Sequence, residues 1–364
     1  MTGNTLGIYI SFRFLKILLA MVLGLAFLVI TIDFIDQLRR ASEAVNVSIW
    51  QLYSISLLRA PIFVERIFPF ACLFAAMITL TQLNSKMELV VVRAAGVSAW
   101  QFLLPIAMSA AVVGVFVTTI YNPLAVTAFH ASNDLLVKVL PERGNHGFNQ
   151  RNSNWIKQED DNGGSSIISA QMTRKQGQFL DRVKIVRFDD QGKIFERVDA
   201  KLALHRGDHW LLMDVVLTSA SGKISQADTY KLKTKLTRDE LLGIGSRPEE
   251  VPFWNLLKTA EKVEKSGTNG KPYLVQYHSL TALPLFLVAM TLVAATVCLR
   301  FVRFGQFGRM ILGGILCGFV LYTVTSLITA LGSNGVVPPV VAAWSPGFVA
   351  ILFGMSVLLH QEDG

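Results

Sequence analysis

The sequence predicts an α+β membrane protein with six transmembrane helices, arranged three plus three around an inserted extracytoplasmic β-jelly-roll domain. Of its 364 residues, 52% are apolar and only 16% are charged, whereas soluble domains carry about 25% charged residues. The charges are also unevenly spread, because 41 of the 60 charged residues lie between Lys138 and Lys271. Long uncharged runs precede and follow this stretch. The chain therefore alternates between lipid and water.

Three apolar segments before the polar middle are long enough to cross a bilayer. A hydrocarbon core of about 30 Å needs about 20 mostly apolar helical residues. Residues 17–32, extendable by a turn at either end, 67–85 and 94–129 meet this requirement. The first run could instead be a cleaved signal peptide, but no A-x-A-like cleavage site follows Leu28. We therefore favour a retained helix.

Three further segments follow the polar middle, at 274–299, 310–331 and 336–359. The first is interrupted only by His278. The last two are separated by the sequence Gly-Ser-Asn-Gly at 332–335 and the two prolines that follow it. Because Gly, Asn and Pro end helices, the uncharged stretch after residue 310 is predicted to form a helical hairpin.

The basic residues of the short loops predict the orientation of the chain in the membrane. They are Arg13 and Lys16 before the first span and Arg300, Arg303 and Arg309 between the fourth and fifth spans. Such loops stay on the cytoplasmic side. Both termini are therefore predicted to be cytoplasmic, and the middle lies on the opposite side. This divides the chain into spans one to three at 1–133, a central domain at 134–270 and spans four to six at 271–364.

The central domain reads as short β-strands separated by turn sequences between residues 154 and 235. Partial period-two spacing places Ile185, Leu202, Leu204 and Val215 on an inward face. Strands at this spacing are typical of a small sandwich or jelly roll. Residues 251–265 return to helical spacing and lead back into the membrane.

The sequence carries no recognisable catalytic or metal-binding motif. A phosphate-binding P-loop, H-E-x-x-H and G-x-S-x-G are all absent, so we predict no catalytic residue, metal or cofactor. His205 and His209 have a metal-ligand spacing, but the turn sequence between them separates their side chains. Residues 138–271 contain 23 basic and 18 acidic residues, which does not indicate nucleic-acid binding. All three cysteines lie in apolar runs, which excludes a disulfide framework in the central domain.

Two charged segments beside the membrane are candidate functional sites. Arg39 and Arg40 follow the first span within a mixed cluster, and they either cap a solvated helix end or bind the phosphates of a lipid headgroup. Residues 84–98 form a short amphipathic stretch between spans two and three. This stretch is either an interfacial helix or a coupling helix that docks on a separate ATPase.

Three stretches resemble the lipopolysaccharide-export permeases of the LptF/LptG family. They are DFIDQLRRA at 33–41, MELVVVRAAGV at 87–97 and YLVQYHSLTALPL at 273–285. The first stretch is more similar to the LptG branch of the family than to the LptF branch. The resemblance covers the whole chain, including the three-plus-three arrangement around a central polar domain.

The resemblance implies a transport subunit of an ABC transporter in the bacterial inner membrane. Such a subunit pairs with an LptF-like permease, binds an LptB-like ATPase dimer and an LptC-like membrane-anchored protein, and draws lipopolysaccharide from the outer leaflet towards a periplasmic bridge. The implied ATPase-coupling residues are Glu88, Leu89 and Arg93. The implied contacts to the lipopolysaccharide headgroup are Arg39, Arg40, Arg59, Arg66 and His130.

The chain departs from the family pattern at three positions near the expected headgroup site. Asp33 stands where a lysine is expected, and His130 and Asn133 stand where arginines are expected. The headgroup contacts are therefore expected to be fewer or rearranged, with Arg59 or Arg66 compensating.

Three other functions fit the sequence less well than lipid export. An ion-coupled secondary transporter would place acidic residues within its spans, where this chain offers only His278 as a relay. A transferase or hydrolase acting on lipid-linked substrates would need a catalytic set that no spacing singles out. A structural scaffold would not need an ATPase-docking segment.

Overall fold

The structure is a computed structural model that describes residues 2–41, 48–88, 98–139, 154–159, 165–174, 179–189, 193–220, 222–234, 247–265, 269–301 and 307–363. Before the central domain lie α1 (Thr2–Ala41), α2 (Ile49–Ser85), α3 (Ala99–Phe116), a π-helical segment (Val117–Tyr121) and α4 (Asn122–Val139). After it lie α5 (Leu256–Lys265), α6 (Lys271–Phe301), α7 (Phe307–Ser333) and α8 (Pro339–Asp363). Within these residues, six helices are long and apolar enough to cross a membrane. The predicted α+β membrane fold is confirmed.

The second span begins 18 residues earlier than its apolar run indicates. The uncharged run starts at residue 67, but α2 begins at Ile49 and carries Arg59, Glu65 and Arg66 as part of the helix. Each of these three side chains has a polar partner on a neighbouring element. A prediction based on charge alone therefore places the start of this helix too late in the sequence.

Helices α2 and α6 form the centre of the bundle. α2 packs against α1, α4, α6 and α7, and α6 also packs against α3, α7 and α8. Fully buried side chains fill the core between these helices, among them Phe14, Cys72, Leu73, Phe102, Leu287 and Met290.

Small residues allow two helix pairs to approach closely. A Cβ atom added at Gly114 of α3 would collide with the backbone of Pro284 in α6. A Cβ atom at Gly314 or Gly318, one turn apart on α7, would instead meet the side-chain ends of Met77 and Leu73 of α2. Small residues at this spacing are typical of tightly packed membrane helices, because lipid supplies no hydrophobic force between helices and close contact must replace it.

The central domain is a six-stranded antiparallel sheet with its strands in sequence order. The strands are β1 (Asn154–Glu159), β2 (Ser165–Arg174), β3 (Phe179–Phe188), β4 (Ile194–His205), β5 (His209–Ser219) and β6 (Ile224–Lys233). A jelly roll would place non-consecutive strands side by side. The described strands instead form a meander, because short connections pair each strand with the next. The predicted inserted β-domain is therefore confirmed, and its described strands are in meander order.

One row of residues across the sheet interrupts the strand pairing. Arg182, Lys201 and Asp214 lie side by side on β3, β4 and β5 and are skipped in the register. Arg182 and Asp214 have the left-handed φ values of 48° and 53°. Buried residues on either side of this row are three positions apart, as at Leu180 and Val183, instead of two. The sheet therefore bends at this row while the same face stays buried on both sides.

The inner face of the sheet is filled by its own side chains. Among the residues that the structure describes, the buried cluster comes from β2 to β6 and includes Ile185, Val198, Trp210 and Leu212, all with no exposed surface. These side chains pack against one another on one face of the sheet.

Candidate functional site

The candidate residues lie at opposite ends of the helix bundle. At one end, here called the domain side, α1 ends, α2 begins and α4 leads towards the β-domain. At the other end, here called the termini side, α1 begins and α2 ends. The described headgroup candidates lie on the domain side, and Glu88, the described coupling candidate, lies on the termini side.

A buried ion pair joins α1 and α2 on the domain side. The Nη1 atom of Arg59 lies 3.8 Å from Oδ1 of Asp33, and these side chains are 3% and 15% exposed. The guanidinium also lies 5.7 Å from the ring centre of Phe129 in α4, a cation–π contact. Arg59 therefore holds three helices together and is covered in this conformation.

The other headgroup candidates lie nearer the surface. Arg66 is half exposed, and its Nη2 atom lies 3.7 Å from Oε2 of Glu249. The Nε2 atom of His130 lies 2.8 Å from the backbone carbonyl of Glu250; since a carbonyl only accepts, Nε2–H is the donor. Arg39 is exposed at the end of α1, and the side chain of Arg40 lies outside the described residues.

A third group on the domain side was not found from the sequence, because it lies in an uncharged run. Asn122, 1% exposed, is the first residue of α4. Its Nδ2 atom donates to both carboxylate oxygens of Glu65 in α2, at 2.9 and 3.1 Å. Its Oδ1 atom accepts the backbone N–H of Phe253 at 2.9 Å. One amide thus joins α2, α4 and the segment that follows the β-domain.

That segment, residues 247–255, is called the return segment here. The indole N–H of Trp254 donates to the carbonyl of Thr119 at 3.3 Å. This carbonyl lies in the π-helical segment, where the wider turn alters the helical hydrogen-bond pattern. The ring of Phe253 stacks on Tyr277 of α6 at 5.2 Å, with a 6° angle between the planes. Burial raises the pKa of Glu250, also in this segment, above its usual value.

On the termini side, Glu88 is bound to the start of α1. Arg13 Nη1 lies 3.3 Å from both carboxylate oxygens of Glu88, and the Tyr9 hydroxyl donates to Oε1 at 3.5 Å. Arg13 also donates to Gln82 Oε1 through Nε and Nη2, at 3.4 and 3.2 Å. The chain leaves α2 through Met87, whose φ of 59° is left-handed. The other two coupling candidates, Leu89 and Arg93, lie outside the described residues.

The two described histidines of the β-domain, His205 and His209, do not converge with other possible metal ligands. The ring of His205 packs edge-on against Trp210, whereas Nδ1 of His209 lies 2.6 Å from Oδ1 of Asp208. Across the described part of the chain, no three His, Cys, Asp or Glu side chains converge. His278 lies in the third turn of α6 beside the ring of Tyr277.

Together, these features define a polytopic membrane protein whose six spans are divided three and three by an extramembrane β-domain. The model of the lipopolysaccharide export system permease family LptF/LptG matches residues 8–360, and the chain belongs to this family. It is 25% identical to the lipopolysaccharide export system permease protein LptG of Haemophilus influenzae, over 99% of both chains. It is also 23% identical to the LptG protein of Escherichia coli K12, over 91% of both chains.

Proposed function

We propose that this chain is the transmembrane permease subunit of an ABC transporter that extracts lipopolysaccharide from the outer leaflet of the inner membrane and passes it to a periplasmic bridge. The observation that carries the proposal is the family match over residues 8–360. The two groups of three spans around a β-domain support it. In this role the chain is not itself an enzyme, and ATP hydrolysis belongs to a partner.

The proposed orientation places both termini in the cytoplasm and the β-domain in the periplasm. The unopposed basic residues before α1 and between α6 and α7 support it, since short positive loops stay cytoplasmic. The domain side then faces the periplasm, where it meets outer-leaflet headgroups. The termini side faces the cytoplasm.

The energy requirement explains the proposed partners. Exposing acyl chains to water costs about 0.8 kcal/mol per CH₂ group, so extraction needs an external energy source. An LptB-like ATPase dimer supplies it through the segment that contains Glu88, Leu89 and Arg93. An LptF-like permease completes the lipid cavity, and an LptC-like membrane-anchored protein continues the periplasmic route.

The lipid contacts are proposed on α1, α2 and α7. α2 packs against both other helices, which present apolar side chains such as Leu23, Phe27, Leu316 and Phe319 outwards. These faces suit acyl chains or the partner permease. Above them, Arg39, Arg40, Arg66 and His130 form the proposed rim for the phosphates and sugars of the headgroup. Arg59 joins this rim only if it leaves Asp33.

The inner face of the β-domain is the proposed continuation of the route. Because the side chains of the sheet fill that face, acyl chains can enter only when the sheet opens and these side chains separate. Opening would expose Trp210 and its neighbours to the lipid.

Copurification from the native membrane tests this proposal. The chain is captured in a mild detergent and everything that accompanies it is identified by mass spectrometry. We expect a second six-span permease, a soluble ATPase and lipopolysaccharide. Recovery of the chain alone, with a proton- or sodium-dependent transport activity, would contradict the proposal and favour a secondary transporter.

A further inference from the structure

We propose that Asn122 is a positioning residue that makes the return segment, residues 247–255, move as one body with α2 and α4. This inference rests on the proposed export function and adds to it a connection by which helix motion reaches the β-domain. The return segment is suited to this role because it is the stretch of chain between the β-domain and α5.

Both polar atoms of the Asn122 side-chain amide are hydrogen-bonded. Its donor end binds Glu65 of α2, and its acceptor end binds the backbone of Phe253. The group is buried, so water does not compete for these bonds, and losing either partner leaves a polar atom unsatisfied. Leucine has nearly the same size but can make neither bond.

Three further contacts stabilise the interface around Asn122, here called the seam, which is formed by the π-helical segment, α2, α4, α6 and the return segment. The Tyr121 hydroxyl donates to the carbonyl of Pro61 in α2 at 3.1 Å, and the Thr118 hydroxyl donates to the carbonyl of Leu280 in α6 at 2.7 Å. Arg66 of α2 pairs with Glu249 of the return segment. The first two contacts hold the π-helical segment against α2 and α6, and the third joins α2 directly to the return segment. Asn122 follows the π-helical segment in the chain and is hydrogen-bonded to both α2 and the return segment.

The length of α2 connects this seam with the other end of the bundle. α2 has 37 residues, which corresponds to about 55 Å at 1.5 Å per residue. Its far end leads through Met87 to Glu88, which lies within the proposed coupling segment, residues 84–98. A rigid-body movement of α2 that starts at the ATPase would therefore carry the return segment with it.

The first test separates ATP hydrolysis from lipid transfer in the reconstituted complex. Asn122→Leu is expected to retain ATPase activity while lipopolysaccharide released per ATP falls about tenfold, the loss typical of a broken buried hydrogen bond. Equal loss of both activities would indicate a folding defect and overturn the inference. Thr127→Leu, an exposed position on α4, is the control.

A charge exchange makes the test specific to the bond. Asn122→Asp places two carboxylates together and should be as defective as Asn122→Leu. Adding Glu65→Gln places an amide donor at position 65 opposite the carboxylate at position 122. That carboxylate can still accept the backbone N–H of Phe253. We expect the double variant to recover transfer to within about threefold of the native chain, since the bond count is restored. A double variant as defective as Asn122→Asp overturns the inference.

A cross-link tests whether the seam moves as one body. Arg66→Cys and Glu249→Cys, in a Cys317→Ser background, are joined by a short bis-maleimide. If the return segment moves with α2, the joined protein transfers lipid as well as the same double-cysteine protein without the cross-linker, which lacks the Arg66 side chain in the same way. Abolished transfer would mean that the seam has to open, which contradicts the inference.

A last measurement requires no transport. A spin label at the exposed position Asn255 reports the mobility of the return segment in the native and Asn122→Leu chains. We expect greater mobility in the variant, and unchanged mobility overturns the inference whatever the substrate is. If mobility changes but the native complex never transfers lipopolysaccharide, the proposed function fails and the anchoring role of Asn122 stands.

Discussion

Arg59 and Asp33 face each other across the α1–α2 interface, with Nη1 and Oδ1 3.8 Å apart and both side chains largely buried. The pair gives the acidic residue at position 33, where a lysine was expected, a partner inside the protein. It also removes one cation from the proposed headgroup rim. Two charges taken from water cost free energy, which their mutual attraction offsets only while both remain.

Breaking this pair should destabilise the helix bundle. Arg59→Ala leaves Asp33 buried without its counter-charge and should lower the free energy of unfolding by about 3–5 kcal/mol. Asp33→Leu with Arg59→Met removes both charges and should be close to native in stability. Thermal unfolding in detergent measures both. Native stability of Arg59→Ala, together with weakened lipopolysaccharide binding, would instead make Arg59 a headgroup residue.

The exposed cations on the domain side should bind lipid phosphates. Arg39→Glu combined with Arg40→Glu should reduce photocrosslinking of lipopolysaccharide at least severalfold, because repulsion replaces a charge-assisted hydrogen bond. Lys258→Glu, an exposed cation on α5, is the matched control and should have little effect. Unaltered crosslinking in the double variant would indicate that the two arginines only cap a solvated helix end.

Glu88 should be required for association with the ATPase. Glu88→Ala removes a carboxylate that the Arg13 and Tyr9 side chains hold in place, so copurification of the ATPase should be lost while membrane insertion continues. The neighbouring exposed Lys86→Ala serves as a control. Copurification at the native level would show that Glu88 is not required for the contact with the ATPase.

Close packing of α3 on α6 should depend on the glycine at position 114. A Cβ atom there meets the backbone of Pro284, which cannot rotate away, whereas a Cβ atom at Gly24 meets nothing within 4 Å. Gly114→Ala should destabilise the bundle by about 1–3 kcal/mol, the usual effect of overpacking. Gly24→Ala should be neutral in the same thermal unfolding measurement. Equal stability of the two variants would contradict the helix contact.

The return segment should become less stable as the pH rises. Burial raises the pKa of Glu250 above its ordinary value of 4.5, so the folded segment holds its proton more tightly than the unfolded chain. The stability that protonation provides is complete below pH 4.5 and is lost as the pH rises through the folded-state pKa. Glu250→Gln should therefore slow proteolysis of the segment at pH 7 but not at pH 4. The same protection at both pH values would contradict this assignment.

The sequence was sufficient for those parts of the fold that depend on local composition. The six spans, the helical hairpin near Gly335 and the inserted strands follow from apolar runs, helix-ending residues and period-two spacing. The start of α2 at Ile49 did not follow, because Arg59 and Arg66 resemble solvent residues until their partners on other elements are known. The meander did not follow either, since strand order depends on pairing and not on strand content.

The candidate site could be predicted only where charges mark it. Arg39, Arg66 and Glu88 stand out beside apolar runs, and the structure places them at the two ends of the bundle. Asn122 is neutral and lies within a long apolar segment, so nothing local distinguishes it. Its importance comes from two partners that are 57 and 131 residues away along the chain.

We propose that this chain moves lipopolysaccharide with energy from a partner ATPase. The most direct test reconstitutes the purified complex in liposomes that contain lipopolysaccharide and measures its transfer to a soluble periplasmic acceptor. We predict transfer that requires ATP and stops when the ATPase is inactivated. Transfer that continues without ATP and follows a proton or sodium gradient would contradict the claim.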